Sequence, residues 1–429
     1  MHRGADGSCR PTTGSRIVTQ PNIRASTDRL LQRIDQLAAI GAIDGGGVCR
    51  LALTDEDRRG RDLVMQWMHN LGLEVTIDLI GNVTGTRTSI EDGPPVMIGS
   101  HIDSVATGGR YDGSLGVLAG LEIVETLNEA DWQTRHPIAV TFFTNEEGAR
   151  FAPDMMGSAV HQGSLSLQTA LETVGTDGQT VGAELIRIGY AGDTPVKNMS
   201  PQAYLELHIE QGPVLENTNT TIGAVTGVQG ISWTEFELQG VSNHAGTTPM
   251  HLRHDAGYVA ATIAVEARAI ATDFGDNQVA TVGVSELTPN LINVIANRAR
   301  VTVDLRNTSD AKLSHAETRL IGFATDTAAA EGVTVEKRTL ARFSPVEFDT
   351  VIIDMVEKAA AASNYTCLRL PSGAGHDAQM FAPNCPTGMI FIPSTQGISH
   401  NINEFSSEQD IAAGMDVLMK VLLLSLIHI

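Results

Sequence analysis

The fold class is decided by residues 96–144, VMIGSHIDSVATGGRYDGSLGVLAGLEIVETLNEADWQTRHPIAVTFFT. Two short apolar runs in this segment, residues 96–99 and 138–144, have the length and composition of buried β-strands. Between them, residues 117–127 carry apolar side chains at helical spacing. A strand, a helix and a second strand in this order predict an α/β sheet that is covered by helices on both faces.

The flanking sequence continues this alternation. One helix is predicted after Ser26 or Thr27 and another from about Thr54 to Gly72, because apolar residues recur at helical spacing after a capping residue. Further elements are a strand at residues 74–79, a strand within residues 204–213, a helix at residues 351–362 and a strand at residues 387–392.

Residues 227–343 have a different pattern. Strand-like and helical runs follow in the order β-α-β-β-α-β, at residues 231–238, 255–272, 279–284, 299–305, 309–331 and 334–340. This order is typical of a small ferredoxin-like α+β domain. Because candidate site residues lie on both sides of it, we predict an inserted domain at residues 227–343. The larger domain is then discontinuous and consists of residues 26–226 and 344–429.

The amino-acid composition and net charge argue against some classes of binding partner. The chain has 429 residues, of which 42% are apolar and 18% charged, as is ordinary for a globular enzyme. The formal net charge is -21 and no basic cluster is present in the sequence. This charge argues against nucleic acid and anionic membranes as partners. An anionic small substrate would need local positive charge from metal ions or from an arginine in the site.

Cysteine usage and the chain ends predict a cytoplasmic protein. The four cysteines contain no C-x-x-C pair and are too few for a disulfide framework. No apolar run reaches the ~20 residues that a membrane span needs. Residues 1–25 lack the apolar centre of a signal peptide and are predicted to be a disordered leader. The last six residues, LSLIHI, match the translation of a common sequencing adaptor.

Two motifs after the first predicted strand carry candidate metal ligands. GSHIDSV, residues 99–105, places His101 just past the carboxyl end of the strand, where α/β sheets usually bind ligands. Asp103 is placed to hold the imidazole, since a metal-bound histidine usually donates its other N–H to a carboxylate or carbonyl. GGRYDG, residues 108–113, contains Asp112 at a helix start. From the residues alone, Asp112 is better explained as a turn or capping residue.

Three further motifs complete the candidate site. In TFFTNEEGAR, Glu146 and Glu147 follow a buried strand, where two like charges are costly unless a cation neutralises them. One can bind metal while the other accepts a proton from water. His208 lies in the predicted strand ELHI and His400 in the glycine loop GISHN. Three histidines and two carboxylates suit zinc, manganese, cobalt or nickel. Scattered structural histidines remain the alternative at this point.

Eight motifs in order resemble a known family. The chain is similar to the N-carbamoyl-L-amino-acid hydrolases and their relatives, the allantoate amidohydrolases and metal-dependent β-ureidopropionases. These form the amidase branch of the dimetal aminoacylase/carboxypeptidase superfamily. The resemblance covers roughly residues 26–421 and rests on GSHIDSV, GGRYDGSLGVLAGLE, TNEEGARF, ELHIEQGP, SNHAGTTPM, NVIANRARVTVDLRN, PSGAGHDAQM and GISHN.

The resemblance implies a two-metal centre in an aminopeptidase-like catalytic domain, with the inserted domain serving as lid and dimerisation domain. One divalent ion (Zn, Mn, Co or Ni) would be bound by His101, Asp112 and His208. The other would be bound by Asp112, Glu147 and His400, so that Asp112 bridges them. Glu146 would be the general base that activates the attacking water.

The resemblance also implies substrate contacts. Arg306 in VDLRN would clamp a substrate carboxylate bidentately, and His244 in SNHAGTTP would stabilise the oxyanion of the tetrahedral intermediate. Further contacts are implied for Gln211, Asn293 and Gly375. In relatives the histidine that matches His244 comes from the partner subunit, which implies a homodimer. Without the resemblance, His244 and Asn293 are explained as loop residues and Arg306 as a strand-end charge paired with Asp304.

The implied reaction is cleavage of the carbamoyl C–N bond of N-carbamoyl-L-amino acids to amino acid, carbon dioxide and ammonia. The segments GRYDGSLGVLAGLE and TNEEGARFAPDMMGS are closer to the carbamoyl-amino-acid hydrolases than to the allantoate enzymes. Allantoate amidohydrolase and β-ureidopropionase activities remain alternatives. A non-enzyme alternative, a metal-free scaffold homologue, predicts the same fold and dimer without metal.

Overall fold

A computed structural model describes residues 23–196, 200–275 and 277–423. The predicted leader, apart from residues 23–25, and the segment 424–429 lie outside the described residues. The helices are α1 (Thr27–Ala38), α2 (Asp55–Asn70), α3 (Ser114–Glu129), α4 (Met156–Gln162), α5 (Leu167–Glu172), α6 (Val181–Ile188), α7 (Val214–Asn217), α8 (Ala256–Phe274), α9 (Asp310–Glu331), α10 (Thr350–Ala362), α11 (Asp377–Phe381) and α12 (Glu408–Val421). The strands are β1 (Glu74–Ile77), β2 (Val83–Arg87), β3 (Val96–His101), β4 (Ile138–Phe143), β5 (Ala203–Ile209), β6 (Ile222–Val228), β7 (Gly230–Gln239), β8 (Val279–Thr288), β9 (Arg298–Asn307), β10 (Thr334–Phe343), β11 (Val346–Glu347), β12 (Cys367–Ser372) and β13 (Thr387–Ile392).

The larger sheet has the strand order β1-β2-β4-β3-β5-β13-β6-β11, with β12 beside β6. Its four central strands β4, β3, β5 and β13 are parallel to their neighbours in this group. All four are buried along their whole length, as expected of strands covered on both faces. Their carboxyl ends therefore meet at one edge of the sheet, where residues that follow each strand lie close together.

The helix α3 connects β3 to β4 and is buried on nearly every side, with thirteen residues in the core. Its sequence is apolar all round, which is typical of a helix enclosed by other elements. The described helices include none that is both long enough and apolar enough to cross a lipid bilayer. The amino end of α3, which carries Asp112 and Gly113 just before it, points to the same sheet edge as the ends of β3 and β5.

The smaller sheet is antiparallel, with the order β10-β7-β9-β8. Alternate strand residues such as Phe236, Val301 and Leu305 pack with α8 and α9 into a core separate from that of the larger sheet. The predicted β-α-β-β-α-β order and the α/β plus α+β fold class are confirmed. The domain limits at residues 227 and 343 stay a prediction.

Two features differ from the sequence predictions. β3 extends to His101, so this residue is the last of the strand rather than just past it. The strands β2, β6 and β12 were not predicted; they read VTGTR, IGAVTGV and CLRLPS. Glycine and proline within a strand weaken its sequence signal, and pairing with neighbouring strands supplies the missing preference.

Candidate metal centre and active site

Three histidines and two carboxylates meet at the carboxyl edge of the parallel strands. They form two overlapping groups, and within each group the candidate ligand atoms lie within 4.8 Å of one another. The first group is His101, Asp112 and His208; the second is Asp112, Glu147 and His400. Five positions spread over three hundred residues are thus brought together in the two sets that the resemblance implied. We call these five residues the cage.

The Asp112 carboxylate faces both groups. Its Oδ1 lies 3.2 Å from His208 Nε2 and 3.6 Å from His101 Nε2. Its Oδ2 lies 3.4 Å from His400 Nε2, which is also 3.2 Å from Glu147 Oε2. One carboxylate with an oxygen toward each group has the arrangement of a bridging ligand.

Hydrogen bonds fix the tautomers of the two buried histidines. The Nδ1 of His101 contacts the carbonyl oxygen of Asp103 at 3.0 Å, and that of His208 contacts the carbonyl oxygen of Ile209 at 2.9 Å. Because a carbonyl only accepts, each Nδ1 donates, and in the neutral ring each Nε2 would turn its lone pair toward Asp112, whereas in the protonated ring it donates to Asp112. Lone pairs that face a carboxylate need a cation between them, so these donors fit a borderline divalent ion.

A local glycine makes this approach sterically feasible. Gly113 has φ +62°, and a Cβ there would lie 2.3 Å from the His101 ring. Its backbone N–H lies 3.1 Å from His208 Nε2. A side chain at position 113 would therefore displace a candidate ligand, and the positive φ would strain any other residue.

The buried carboxylates in and beside the cage are unfavourable unless positive charge lies next to them. Burial raises the pKa of Glu146 well above its ordinary value and that of Asp103 to about 6. Burial also opposes the charged form of Asp112, yet hydrogen bonds from the three histidines hold its pKa well below its usual range. Hydrogen bonds to Asp112 and Glu147 raise the pKa of His400 to about 10. Protons or metal ions must offset these carboxylates.

Asp103 organises two arms of the cage. Its carboxylate accepts the backbone N–H of Glu146 at 3.2 Å and of Glu147 at 3.3 Å. The predicted contact with His101 is made by the Asp103 carbonyl, while its carboxylate lies 3.9 Å from His101 Nδ1. Asp103 thus supports His101 and the glutamate pair together, and the sequence indicated only the first.

Glu146 and Glu147 lie on a turn after β4 that hydrogen bonds hold in place. Thr144, just after β4, donates its N–H to Asn82 Oδ1 at 2.9 Å and accepts from Arg61 at its hydroxyl at 3.2 Å. Its carbonyl accepts the Gly157 N–H at 2.8 Å. Asn145 follows with φ +57°. Glu146 then places Oε2 3.3 Å from His101 Nε2 in a nearly buried position.

Two adjoining cavities open at the cage. One of about 100 Å³ is lined by the cage with Glu146, Gln211 and Gly375, and Gln211 Nε2 donates to Asp112 Oδ2 at 2.9 Å. The other, of about 530 Å³, lies between the two sheets and shares Glu147, Asp154, Ala374 and Gly375 with the first. Its lining adds Arg306 and the apolar side chains of Ile231, Trp233, Leu340 and Phe343.

Arg306 lines the larger cavity and forms hydrogen bonds with other residues of the same chain. Its guanidinium donates to Asp304 at 2.8 Å and to the carbonyl of Gly373 at 2.6 Å. The pairing with Asp304 was predicted by the alternative interpretation of the sequence, in which Arg306 is a charge at the end of a strand. The bond to Gly373 joins the smaller sheet to the loop that contains Gly375.

His244 and Asn293 are not brought to the cage of the same chain. They are exposed on adjacent loops of the smaller domain, where Ala245 N–H donates to Asn293 O at 2.9 Å. Neither is among the residues that line the two cavities. His244 Nδ1 accepts the backbone N–H of Gly246 at 3.0 Å, so its Nε2 carries the proton and is free to donate.

Sequence reasoning missed Glu404, which supports the Asp112 turn. Its Oε1 accepts the N–H groups of Tyr111 and Asp112 at 3.1 and 3.2 Å, and burial raises its pKa to about 7. Gly109 leaves room for this carboxylate, since a Cβ there would lie 2.1 Å from it.

Comparison with known proteins gives the family. The family model described as Peptidase family M20/M25/M40 matches residues 97–424. The chain belongs to this family. Within it, the chain is 42% identical over 403 residues to the N-carbamoyl-L-amino-acid amidohydrolase of Rhizobium meliloti, covering 94% of this chain and 97% of that protein. The family resemblance of the eight motifs is therefore confirmed.

Two further proteins are similar to this chain. The crystal structure of an amidase of the hydantoinase/carbamoylase family from Burkholderia multivorans is similar with a TM-score of 0.92 and 43% identity, covering 94% of this chain and 98% of that one. A protein of Arabidopsis thaliana named ureidoglycolate hydrolase is 35% identical over 91% of this chain and 84% of its own length.

Proposed function

We propose that this protein is a metal-dependent N-carbamoyl-L-amino-acid amidohydrolase. It would cleave the carbamoyl C–N bond and release the amino acid, carbon dioxide and ammonia. The observation that carries the proposal is the Asp112 carboxylate, which faces two sets of ligand atoms at once. The amidohydrolase of Rhizobium meliloti, at 42% identity over nearly the whole length, supports this choice of reaction.

Two divalent ions, of zinc, manganese, cobalt or nickel, are proposed as cofactors. His101, Asp112 and His208 would hold one, and Asp112, Glu147 and His400 the other. Such a pair supplies a water-derived nucleophile near neutral pH and polarises the substrate carbonyl. Asp103 supports this centre from behind by fixing His101 and the backbone of Glu147.

Glu146 is the proposed general base. Its carboxylate lies beside His101 Nε2 at 3.3 Å and lines the smaller cavity. It would accept a proton from the attacking water and pass it to the leaving amine, which a carboxylate in a nearly dry site does well because its pKa is raised. Gln211 and Gly375 line the same cavity, and we assign them substrate contacts.

The larger cavity supports a substrate with both a carboxylate and an apolar side chain. Arg306 is the one basic residue among those that line it. Trp233, Leu340 and Phe343 are between 41% and 52% exposed, although they are large apolar residues. A substrate side chain would cover them, which is favourable by ~25 cal/mol per Å² of buried apolar area. Allantoate and N-carbamoyl-β-alanine offer no such side chain, and neither does ureidoglycolate, so allantoate amidohydrolase and β-ureidopropionase activities rank second.

We propose a homodimer in which His244 and Asn293 act on the partner's substrate. His244 Nε2–H is a free donor suited to an oxyanion, yet it does not line the cavities of its own chain. The smaller sheet ends in β8, whose outer edge has no described strand neighbour. Exposed Tyr258 and Val265 on α8 extend this surface. A second copy pairing along β8 would cover it.

The proposed location is the cytoplasm. Cys49, Cys367 and Cys385 are free thiols, which agrees with a reducing compartment. No nucleic-acid or membrane partner is proposed, because a net charge of -21 repels both polyphosphates and anionic lipids.

The test combines metal analysis with a substrate panel. Purified protein, dialysed against trace zinc or manganese, should retain about two ions per chain. It should release ammonia from N-carbamoyl-L-methionine faster than from N-carbamoyl-β-alanine, allantoate or ureidoglycolate. Retention of no metal would favour the scaffold alternative, and a preference for allantoate would overturn the substrate assignment while leaving the centre intact.

A further inference from the structure

A buried arginine lies behind the cage, in the segment between α1 and α2. Arg50 is 2% exposed, and it precedes the part of the chain that the family model matches. Its guanidinium donates to the carbonyls of Ile102 at 2.6 Å, Leu37 at 3.0 Å and Ile40 at 2.9 Å. Its fourth bond goes to the Ser114 hydroxyl at 3.3 Å. Two of these four partners are close in sequence to candidate metal ligands, since Ile102 follows His101 and Ser114 comes two residues after Asp112.

The bond to Ile102 controls the arm of the cage after β3. Ile102 stands between His101 and Asp103, so the peptide that the Arg50 Nε–H holds also orients Asp103. Asp103 in turn accepts His101 Nδ1–H at its carbonyl and the N–H groups of Glu146 and Glu147 at its carboxylate. The backbone adds to this link, since Ser104 N–H donates to Arg50 O at 3.0 Å and Arg50 N–H to Ser104 Oγ at 2.8 Å.

The bond to Ser114 controls the second arm. Ser114 begins α3 and follows Asp112 and Gly113 directly. One planar guanidinium therefore spans the turn that carries His101 and the turn that carries Asp112, and the angle between its donors is fixed. The space for it is built in, because a Cβ at Gly60 of α2 would lie 2.9 Å from Arg50 Cδ.

We propose that Arg50 is a positioning residue that sets the distance between the His101 and Asp112 arms of the metal centre. This inference rests on the proposed metal centre. Arg50 is not among the residues that line the two cavities, so it would act through the Ile102–Asp103 peptide and Ser114. Residues that orient metal ligands typically change metal affinity 10–100-fold when they are replaced.

Arg87 offers a matched control. It is also buried, and it also donates to a backbone carbonyl, that of Trp132 at 2.6 Å, and to side chains, Asn128 at 2.8 Å and Thr134 at 3.4 Å. It pairs with Ile138 at the start of β4, which is the opposite end of the sheet from the cage. Arg87→Lys therefore removes the hydrogen bonds of a buried guanidinium at a site that does not contact the cage.

The experiment measures zinc affinity of metal-depleted protein by competition with a chromophoric chelator. Arg50→Lys should bind zinc about 10–100-fold more weakly than wild type. Arg87→Lys should lose about as much thermal stability as Arg50→Lys but should bind zinc as tightly as wild type. Ser114→Ala, which removes one bond and no charge, should weaken zinc binding to a smaller extent. If Arg50→Lys does not fold, Ser114→Ala decides.

Two results would overturn the inference. One is wild-type zinc affinity in Arg50→Lys, or in Ser114→Ala if the lysine variant is unfolded. The other is an equal loss in Arg87→Lys, which would mean that general destabilisation weakens the centre. Wild-type protein that binds no zinc at all would instead reject the proposed function, so the two failures are distinguishable.

Discussion

The cage and the loops that carry His244 and Asn293 differ in where they lie within one chain, and the resemblance had already implied that His244 acts on the partner subunit. The cage residues lie at one edge of the larger sheet, with His101 and His208 each 1% exposed. His244 and Asn293 are exposed on the smaller domain. The carbonyl of Asn293 accepts the N–H of Ala245 from the His244 loop, and the His244 ring accepts the N–H of Gly246 in its own loop. The first group converges within the chain and the second does not.

The difference agrees with the role that we propose for each group. Metal ligands have to keep fixed distances at all times, and the ends of packed parallel strands supply this. An oxyanion donor is needed only while substrate is bound, so it can come from an element that arrives by closure or from a second subunit. Motifs in the sequence report the chemistry of both groups but not which copy of the chain they serve.

The largest expected effect tests the cage side of this comparison. Glu146→Gln should lower kcat by about 10²–10⁴-fold, because the amide cannot accept the proton from water. Metal content, measured by mass spectrometry of the purified protein, should stay at the wild-type level. Glu237→Gln on the outer face of the smaller sheet is the control and should be fully active. A Glu146→Gln enzyme with near-normal kcat would remove Glu146 from the mechanism.

Metal removal should affect stability next most strongly. Ions that bind only the folded protein stabilise it by about 2.7 kcal/mol at a free concentration of 100 times Kd, and here they also neutralise buried carboxylates. Chelation followed by thermal unfolding should therefore show a lower Tm, restored by zinc or manganese. An unchanged Tm would mean that the cage holds no ion in the folded protein.

Subunit mixing tests the loop side directly. Glu146→Gln and His244→Ala proteins should each be nearly inactive alone. If His244 serves the partner's site, a hybrid dimer has one site with both changes and one with neither, so random mixing restores about a quarter of wild-type activity. If His244 serves its own site, every site in the mixture carries one change and activity does not return. Mixing after mild unfolding, with activity assayed on refolding, distinguishes the two.

The smallest effect concerns the cavity between the two groups. Phe343→Ala should lower kcat/KM for N-carbamoyl-L-methionine by about tenfold, because the lost apolar contact is worth roughly 1–3 kcal/mol. The value for N-carbamoylglycine should hardly change, since this substrate has no side chain. Ile186→Ala, an exposed apolar residue of α6, is the control. Equal losses for both substrates would show that Phe343 does not contact the substrate side chain.

Much of the fold could be predicted from local pattern. The strand over residues 387–392 and the helices after Ser26 and Thr54 appear as expected, because their periodicity and capping residues agree with the tertiary structure. The strands β2, β6 and β12 could not be predicted, since glycine or proline obscures their pattern and only pairing with neighbours defines them.

The candidate site was predictable to the extent that it lies in motifs. His101, Asp112 and Glu147 stand in short segments with glycine or a second carboxylate beside them. Arg50 and Glu404 stand in no such segment, and their importance arises from contacts with residues 52 and 292 positions away. A lone buried arginine or glutamate has no local signature, so only the folded chain reveals it.

The histidines on the two sides of the Asp112 carboxylate differ in their exposure to solvent. The His400 side chain is 50% exposed, whereas those of His101 and His208 are at most 2% exposed. An ion next to His400 would be more accessible to solvent and chelators than one between the buried histidines. A cell whose metal supply changes could therefore contain molecules with two different elements side by side, and the outer element would follow the current supply.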